Sequence, residues 1–423
     1  MQPIMSRSFV PDADSVLRDR AFVQLLTGRI TATLATQIQS VVVGWQLYDM
    51  TRDPLTLGWV GLAQFLPMAL LVLPAGDAAD RLPRRLILTA SWLVQAIAGL
   101  LFLGLTLSGT DSPVGFFGVL VLFGMARAFA GPGMQSLLPQ LVGEARLPKA
   151  IAWNSSAFQV AVIGGPALGG AVYLLGPAFA YLLCALLFAG AATAIALIRR
   201  RLPARADTTR QSAFARFTAG IVYVRTRPII LGAISLDLFA VLLGGATALL
   251  PVYAHEILHV GPAGLGLLRS AVAIGAFAMG IYLGRNALER RAGAIMFAAV
   301  AIFGVATIVF GLSSSFVLSF VALMIMGAAD MISVFVRSSL IQLATPDAMR
   351  GRVNAVNMLF IGASNELGEF ESGVTAALFG TVGAVVIGGA GTLAVVGLWM
   401  ALFPALRRVD RLSDVATTRT PPG

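Results

Sequence analysis

The most constraining feature of the chain is an internal repeat. Six apolar stretches in the first half recur in the second half at a constant offset of 203 residues. The matched positions are Gly124 and Gly327, Arg127 and Asp330, Glu144 and Asp347, Lys149 and Arg352, and Asn154 and Asn357. In a membrane protein, two parallel copies of this kind predict two similar bundles with a binding site at the interface between them.

Composition places both copies in lipid. The chain is 57% apolar and 12% charged, too few charges to cover the surface of a soluble domain. A helix needs about 20 apolar residues to cross a bilayer. We predict twelve such helices, at residues 21–48, 55–76, 86–108, 114–138, 151–174, 178–198, 228–254, 262–284, 292–312, 316–342, 353–380 and 383–406.

The net charge of +10 is explained by topology. If the N-terminus is cytoplasmic, the basic residues fall almost entirely in internal connections, and the external connections contain only Arg52. The positive-inside rule then places both termini in the cytoplasm. The charge therefore does not indicate a nucleic-acid partner.

These features predict an all-α integral membrane protein with twelve transmembrane helices in two pseudo-symmetric six-helix bundles. The first 20 residues contain three aspartates and no apolar run, so they do not resemble a cleavable signal peptide. Cys184 stands alone, which excludes a disulfide within one chain and a cysteine metal site. The predicted units are a cytoplasmic tail (1–20), an N-terminal bundle (21–198), a basic linker (199–227), a C-terminal bundle (228–406) and a second tail (407–423).

Three short motifs follow one another along the first half. The loop after the second span reads GDAADRLPRR from Gly76, the fourth span contains RAFAG from Arg127, and the fifth contains GPALGG from Gly165. They resemble the G-x-x-x-D-R-x-G-R-R loop, the R-x-x-x-G element and the G-P-x-x-G-G antiporter motif of the major facilitator superfamily. Pro83 stands where the family usually has glycine. With the repeat, this resemblance covers nearly the whole chain.

The resemblance implies roles for two of these motifs. The loop is predicted to be a tight turn that holds Asp80 among guanidinium groups, which suits an inner gate that breaks when the cavity opens inward. The alternative is a basic loop that only sets topology. The predicted gate consists of Gly76, Asp80, Arg81, Arg84 and Arg85. The antiporter motif consists of Gly165, Pro166, Gly169 and Gly170, where small residues let helices approach closely; its alternative is generic small-residue packing.

Three further segments, at 37–49, 135–142 and 345–354, look more narrowly like the branch that contains enterobactin-type siderophore exporters and macrolide efflux pumps. This resemblance implies export of a siderophore, drug or related amphipathic compound across a bacterial inner membrane, by proton antiport and rocker-switch alternating access. The implied partners are the small-molecule substrate, protons and lipid. The resemblance also implies a monomer that has no cofactor, metal or catalytic residue. A lipid or lysolipid transporter on the same fold is the alternative.

Nine charged residues lie within the predicted spans. Each costs about 2.5–3.5 kcal/mol near the bilayer centre, so each should face a cavity or a partner. They are Arg29, Arg127, Arg269, Arg337, Asp237, Asp330, Glu366, Glu369 and Glu371. In the family's fold, spans one, four, seven and ten line the cavity. The predicted cavity residues are Arg29, Gln37, Arg127, Asp237, Asp330 and Asn357. Arg269 and Arg337 lie near span ends, from which such side chains can snorkel to the membrane surface, and they are expected to be structural.

Glu366 and Glu369 are three residues apart and share one helix face. Two carboxylates this close in a low dielectric cannot both stay ionised, so one can hold a proton. We therefore predict proton coupling at Glu366, Glu369 and Asp330. The alternative is that the eleventh span packs against the second and that these glutamates bond to Gln64 or backbone.

The repeat places Arg127 and Asp330 at equivalent depths in the two halves. None of the first six spans has an acidic residue away from its ends, so the partner of Arg127 is expected across the interface. Opposite charges in a low-dielectric cleft attract strongly. We predict that Arg127 and Asp330 face the same cavity and interact, directly or through water or substrate, in at least one state of the transport cycle, with Asp237 as the other choice.

One motif indicates a different class of protein. His255, Glu256 and His259 match H-E-x-x-H, which on a helix places two zinc ligands on one face beside a general base. The motif lies at the end of the seventh span, directly before Gly261 and Pro262, and the chain has no third histidine. An intramembrane zinc metalloprotease is therefore the weaker alternative to a transporter.

Overall fold

The computed structural model describes residues 14–143, 146–199, 213–286, 288 and 290–412. A helix covers each of the six segments predicted in the first half. We number them α1 Arg20–Thr51, α2 Pro54–Arg81, α3 Arg84–Leu107, α4 Val114–Val142, α5 Leu147–Tyr173 and α6 Pro177–Ala196.

The second half repeats this order. Its long helices are α7 Pro228–Leu243, α8 Gly261–Arg285, α9 Ala292–Leu312, α10 Phe316–Ala344, α11 Asp347–Phe379 and α12 Thr381–Leu402. A shorter helix, Ala213–Arg225, lies in the predicted linker. Within the described residues, ten helical segments are long and apolar enough to cross a membrane, and α1 and α11 are not among them. The twelve-span count and the cytoplasmic position of both termini stay predictions.

Local sequence signals fix where several helices begin. Asp19 accepts a hydrogen bond from the backbone N–H of Ala21, 3.1 Å away, and Asp53 caps α2 through the N–H of Leu55 at 3.0 Å. A capping carboxylate satisfies a backbone donor that has no partner within the helix. α2, α6 and α7 each begin with proline, whose fixed φ and missing N–H suit a first helical position.

Helix pairing within the two halves is the same. In the first half α1 packs on α5 and α6, α3 packs on α4 and α6, and α2 packs on α4. In the second half α7 packs on α11 and α12, α9 on α10 and α12, and α8 on α10. Adding six to each number of the first set gives the second, so the sequence repeat is also a repeat of packing. One buried apolar cluster draws only on residues between Val16 and Ile198.

The most extensive contacts between the halves are made by two helix pairs, α2 with α11 and α5 with α8. Their close contacts lie toward the turns that follow α1 and α7, on the predicted external side, which we call the outer end. A β-carbon at Gly58 of α2 would lie 3.2 Å from the Cα of Phe370 on α11. At the other end of α5, Ile151, Trp153 and Phe158 are exposed. The halves are therefore closed at the outer end.

α7 differs from the continuous span that we predicted at 228–254. The helix stops at Leu243, and the chain continues through a 3₁₀ turn at Ala246–Leu249 and a π turn at Tyr253–Ile257. Gly244 and Gly245 interrupt it, and a β-carbon at Gly245 would lie 2.6 Å from the carbonyl oxygen of Gly368 on α11. Discontinuous helices of this kind are tolerated where they line a cavity.

Candidate functional site

A cavity of ≈ 160 Å³ lies between the two halves. Helices α1, α2, α4, α8 and α11 and the interrupted part of α7 contribute to its wall. Its polar lining consists of Thr36, Gln37, Gln39, Ser40, Gln64, Arg127, Arg269, Glu366 and Glu369. We call this the central cavity. The two helices that are not among the ten apolar spans, α1 and α11, together contribute six of these nine polar residues.

An ion pair crosses the central cavity. Arg127 of α4 lies 3.6 Å from the Glu366 carboxylate of α11, and it donates to the side-chain oxygen of Gln64 at 3.3 Å. The side chains of Arg127 and Glu366 are 34% and 15% exposed, so the pair is only partly screened by solvent. The partner of Arg127 lies in the other half, as predicted, but it is Glu366 rather than Asp330.

A second carboxylate and a second guanidinium complete the cavity. A β-carbon at Gly61 of α2 would lie 2.6 Å from a carboxylate oxygen of Glu369, so glycine at this position makes room for the acid. Arg269 of α8 donates to the hydroxyl of Ser40 at 2.5 Å. Arg269 was expected to be structural, and this expectation was wrong. It lies eight residues into α8, about 12 Å along the axis, too deep for the side chain to reach water at the helix end.

Asp237 and Asp330 were predicted to line the cavity, but both lie inside the C-terminal half. Asp237 of α7 forms a buried ion pair with Arg337 of α10. Asp330 lines a separate void of ≈ 10 Å³ together with Asp237 and Ser333. Neither aspartate lines the central cavity. Arg337 is 2% exposed, so the prediction that it snorkels to the membrane surface was wrong, because a carboxylate on α7 holds it inside the bundle.

The remaining predicted polar residues occupy different places. Gln37 lines the central cavity. Arg29 stacks over the ring of Phe158 on α5, 4.6 Å from its centroid, and does not line the cavity. Asn357 is 5% exposed, and its side-chain oxygen has no hydrogen-bond partner within the described part of the chain. The same is true of the side-chain oxygen of Gln39, which does line the cavity.

The predicted inner gate is only partly described. α2 continues as a helix through Arg81, so the segment predicted as a tight turn is reduced to Leu82 and Pro83. The N–H of Leu82 donates to Ala78 at 2.8 Å, and Pro83 then ends the helix because it has no N–H to donate. Arg85 donates to the carbonyl oxygen of Ile198. The side chains of Asp80 and Arg81 lie outside the described residues.

The antiporter motif forms a close-packed contact on α5. A β-carbon at Gly165 would lie 2.5 Å from that of Gln37 on α1, and one at Gly169 would lie 3.0 Å from the Cα of Ile38. A β-carbon at Gly170 would overlap the carbonyl oxygen of Pro262 on α8. The motif therefore brings α5 against α1 within its own half and against α8 in the other half.

The H-E-x-x-H segment lies in a cluster of charged and polar residues at the outer end. We call Tyr48, Asp49, Arg52, His255 and Glu256 the outer cluster. Arg52 lies 2.7 Å from Asp49 and 3.1 Å from Glu256, and the hydroxyl of Tyr48 donates to Glu256 at 3.4 Å. The segment is a π turn followed by His259 at φ 49°, so the two histidines do not share the face of an α-helix. Within the described residues no three His, Cys, Asp or Glu side chains form a metal-ion site.

Residues 13–422 match the family described as "Transmembrane secretion effector". The chain belongs to this family of the major facilitator superfamily. It is 27% identical over 399 residues to the enterobactin exporter EntS of Citrobacter koseri, covering 92% of this chain and 93% of that protein. Identity to EntS of Shigella dysenteriae is 26% over 376 residues, 86% of each chain.

Solved structures support the same fold. The chain resembles a bacterial homologue of the human lysosomal transporter Spinster in an inward-facing conformation, with a TM-score of 0.72, 14% identity, and coverage of 96% of this chain and 99% of that one. A bacterial homologue of the iron transporter ferroportin, inward-facing, gives 0.67 at 19% identity, with 92% and 99% covered. Together with the family match, this likeness identifies the protein as a membrane transporter with the major facilitator fold. Transporters of this superfamily are not classed as enzymes.

Proposed function

We propose that the protein exports a small amphipathic molecule across the bacterial inner membrane by proton antiport, acting as a monomer through rocker-switch alternating access. The observation that carries the proposal is the Arg127–Glu366 ion pair, 3.6 Å long, which joins α4 of one half to α11 of the other across the central cavity. A charge pair at the interface of two repeats links the charge state of the site to the relative position of the halves.

The coupling step follows from this pair. When Glu366 is ionised it holds Arg127, and the halves are attracted across the cavity. Protonation of Glu366 removes one charge, so the attraction weakens and the two halves are freer to separate. Glu369 lies one helical turn away on the same cavity wall and supplies a second carboxylate for the same proton. Both acids are on α11, which packs on α2 and so moves when the outer end opens.

The substrate class is argued from the lining and from the relatives. Two guanidiniums, two carboxylates and several amides suit a compound with many hydrogen-bonding groups. Leu57, Val60, Leu120 and Phe123 add an apolar wall for rings or aliphatic chains. The EntS relatives are named for enterobactin export. We infer that a catecholate siderophore or a compound of similar size and polarity is the substrate.

The test is uptake into everted membrane vesicles, where export from the cell becomes accumulation inside. Three compounds separate the substrate classes: an iron-free catecholate siderophore, a lipophilic cationic drug and a lysophospholipid. Accumulation of the siderophore or the drug that a protonophore abolishes is the expected result. Transport of the lysophospholipid alone would contradict the proposal and support a lipid transporter on the same fold.

The coupling role is tested with amide substitutions that keep shape. Glu366→Gln combined with Glu369→Gln is expected to abolish gradient-driven accumulation and to retain substrate binding. Glu371→Gln is the matched control, because Glu371 lies on the same helix, bonds to Thr375 at 2.8 Å and does not line the central cavity. Normal gradient-driven transport by the double variant would show that these glutamates are structural.

A further inference from the structure

A second void with acidic lining lies inside the C-terminal half. Between α7, α9 and α10 is a void of ≈ 10 Å³ lined by two carboxylates, one hydroxyl and apolar side chains. The polar groups are Asp237, Asp330 and Ser333, and the apolar ones are Ala240, Val241, Val300, Phe303 and Ala329. None of them lines the central cavity.

The charges around this void do not balance. Asp237 is neutralised by its ion pair with Arg337. α9, Ala292–Leu312, contains no charged residue, and α7 has only Asp237. On α8 the two charged residues are Arg269, which lines the central cavity, and Arg285, the last residue of the helix. Asp330 is thus a second acid beside a pair that is already neutral, and an isolated buried carboxylate is costly unless it takes up a proton.

Acidic neighbours on α11 do not alter this balance, since Glu366 and Glu369 line the central cavity and Glu371 bonds to Thr375. The basic residues of α11, Arg350 and Arg352, lie in its first two turns. Asp330 is 14 residues before Ala344, the last residue of the preceding helix α10, about 21 Å along its axis from that end. The helices packed against α10 therefore bring no cation to Asp330 within the described residues.

An independent observation points to a ligand at the same place. Ser333 lies one turn after Asp330, lines the void and is 2% exposed, and its hydroxyl has no hydrogen-bond partner within the described part of the chain. A buried hydroxyl without a partner destabilises the folded protein, because it has lost its hydrogen bonds to water. Asp330, Ser333 and Arg337 are spaced i, i+3 and i+7, so they share one face of α10. The face that holds the acid thus also carries a hydroxyl that lacks a partner.

We propose that this void is a proton site in which Asp330 is the carrier, the free Ser333 hydroxyl bonds to a single water that also reaches the carboxyl group, and the Asp237–Arg337 pair keeps the surroundings polar. A proton is favoured over Na⁺ because three side chains give too few oxygens to replace a hydration shell, and one acid is already held by Arg337. The void has room for about one water. The inference rests on the proposed function, and it assigns a second proton to the transport cycle.

The test reads protonation directly, so that it does not depend on transport. Infrared difference spectra of the purified protein are recorded across pH, with and without [4-¹³C]aspartate labelling. A protonated carboxyl band that shifts on labelling is expected, because labelling moves aspartate bands and leaves those of Glu366 and Glu369 in place. Labelling needs no substitution, so misfolding cannot obscure the result. The absence of any carboxyl band that moves on labelling would overturn the proposal, because the unmoved bands belong to glutamates.

Two variants then locate the band. Asp330→Asn should remove it, and Glu371→Gln should leave it unchanged. A band that persists in folded Asp330→Asn would refute the assignment, and a band that Na⁺ abolishes at constant pH would show a sodium site instead. In everted vesicles Asp330→Asn should lower the number of protons exchanged per substrate. If the wild type shows the band but has no proton-driven export, the proposed function fails and the proton site stands. If export is proton-driven but the band is absent, the proton site fails and the proposed function stands.

Discussion

Gly170→Ala should drive the transporter out of the conformation seen here. Gly170 lies where α5 meets α8 at the outer end, and a methyl group there would overlap the carbonyl oxygen of Pro262 and lie 3.0 Å from the Cα of Ala263. Both neighbours are backbone atoms, which cannot move aside as a flexible side chain can. The strain exists only while the outer end is closed, because opening separates α5 from α8.

The magnitude follows from the contact. One methylene too many in a well-packed contact typically costs about 1–3 kcal/mol. If the outward-open state is free of this strain, its population relative to the closed state rises by about 5- to 150-fold. Gly164→Ala is the matched control, since it lies on the same helix and its β-carbon would meet nothing within 4 Å. Gly266→Ala, whose methyl would overlap the carbonyl oxygen of Pro166, should reproduce the effect from the α8 side.

The assay is labelling from outside the cell. Val60 lines the central cavity, so Val60→Cys in a Cys184→Ala background reports whether an impermeant maleimide can enter from the outer end. Faster labelling in Gly170→Ala and Gly266→Ala than in Gly164→Ala is expected. Equal rates in all three, at unchanged thermal stability, would refute the argument that the outer contact excludes a methyl group.

Three other predictions test separate contacts. Asp237→Leu should destabilise the protein by about 3–5 kcal/mol because it strands a buried guanidinium, and adding Arg337→Met should recover most of the loss in thermal unfolding. Gly61→Ala should displace Glu369 from the α2 surface, so gradient-driven transport should fall more than substrate binding does. Arg52→Gln should raise labelling of the outer end only a few-fold and only at low salt, because the half-exposed pairs of the outer cluster are each worth about 0.2–1 kcal/mol.

The sequence was sufficient to predict the helices and their order. Apolar length, proline at helix starts and the constant offset are local or periodic signals, and each predicted segment overlaps a long helix of the structure. The interruption of α7 after Leu243 was missed. Glycines such as Gly244 and Gly245 are also common inside continuous membrane helices, where they let neighbouring helices pack closely. Only the approach of Gly368 from α11, a tertiary contact, identifies them as a break.

The buried charges show where prediction from sequence stops. Their presence could be read directly, and so could the absence of an acidic partner for Arg127 in its own half. The choice between Glu366 and Asp330 depends on how α4, α10 and α11 are rotated about their axes, which spacing does not determine. The depth of Arg269 within α8 did indicate a cavity, and its position near the predicted end of the span was given too much weight.

The two copies of one sequence block explain why the candidate chemistry lies on one side of the molecule. Residues 165–170 of α5 correspond to residues 368–373 of α11. Gly165 meets α1 and Gly170 meets α8; at equivalent positions Gly368 meets α7 and Gly373 meets α2. The two contacts are thus related by the repeat, yet the second position of the block is Pro166 in one copy and Glu369 in the other.

This difference divides two tasks between equivalent contacts. At the α5–α8 contact the carbonyl oxygen of Pro166 lies so close to Gly266 that no side chain fits at that position. Pro166 carries no charge, so this contact can close without burying one. At the α2–α11 contact Gly61 leaves space for the Glu369 carboxylate, which faces the central cavity. A carboxylate in both copies would place one charge at each of the two contacts and oppose closure of the outer end. One apolar contact and one acidic contact let the halves close while the cavity retains a group that can bind a proton.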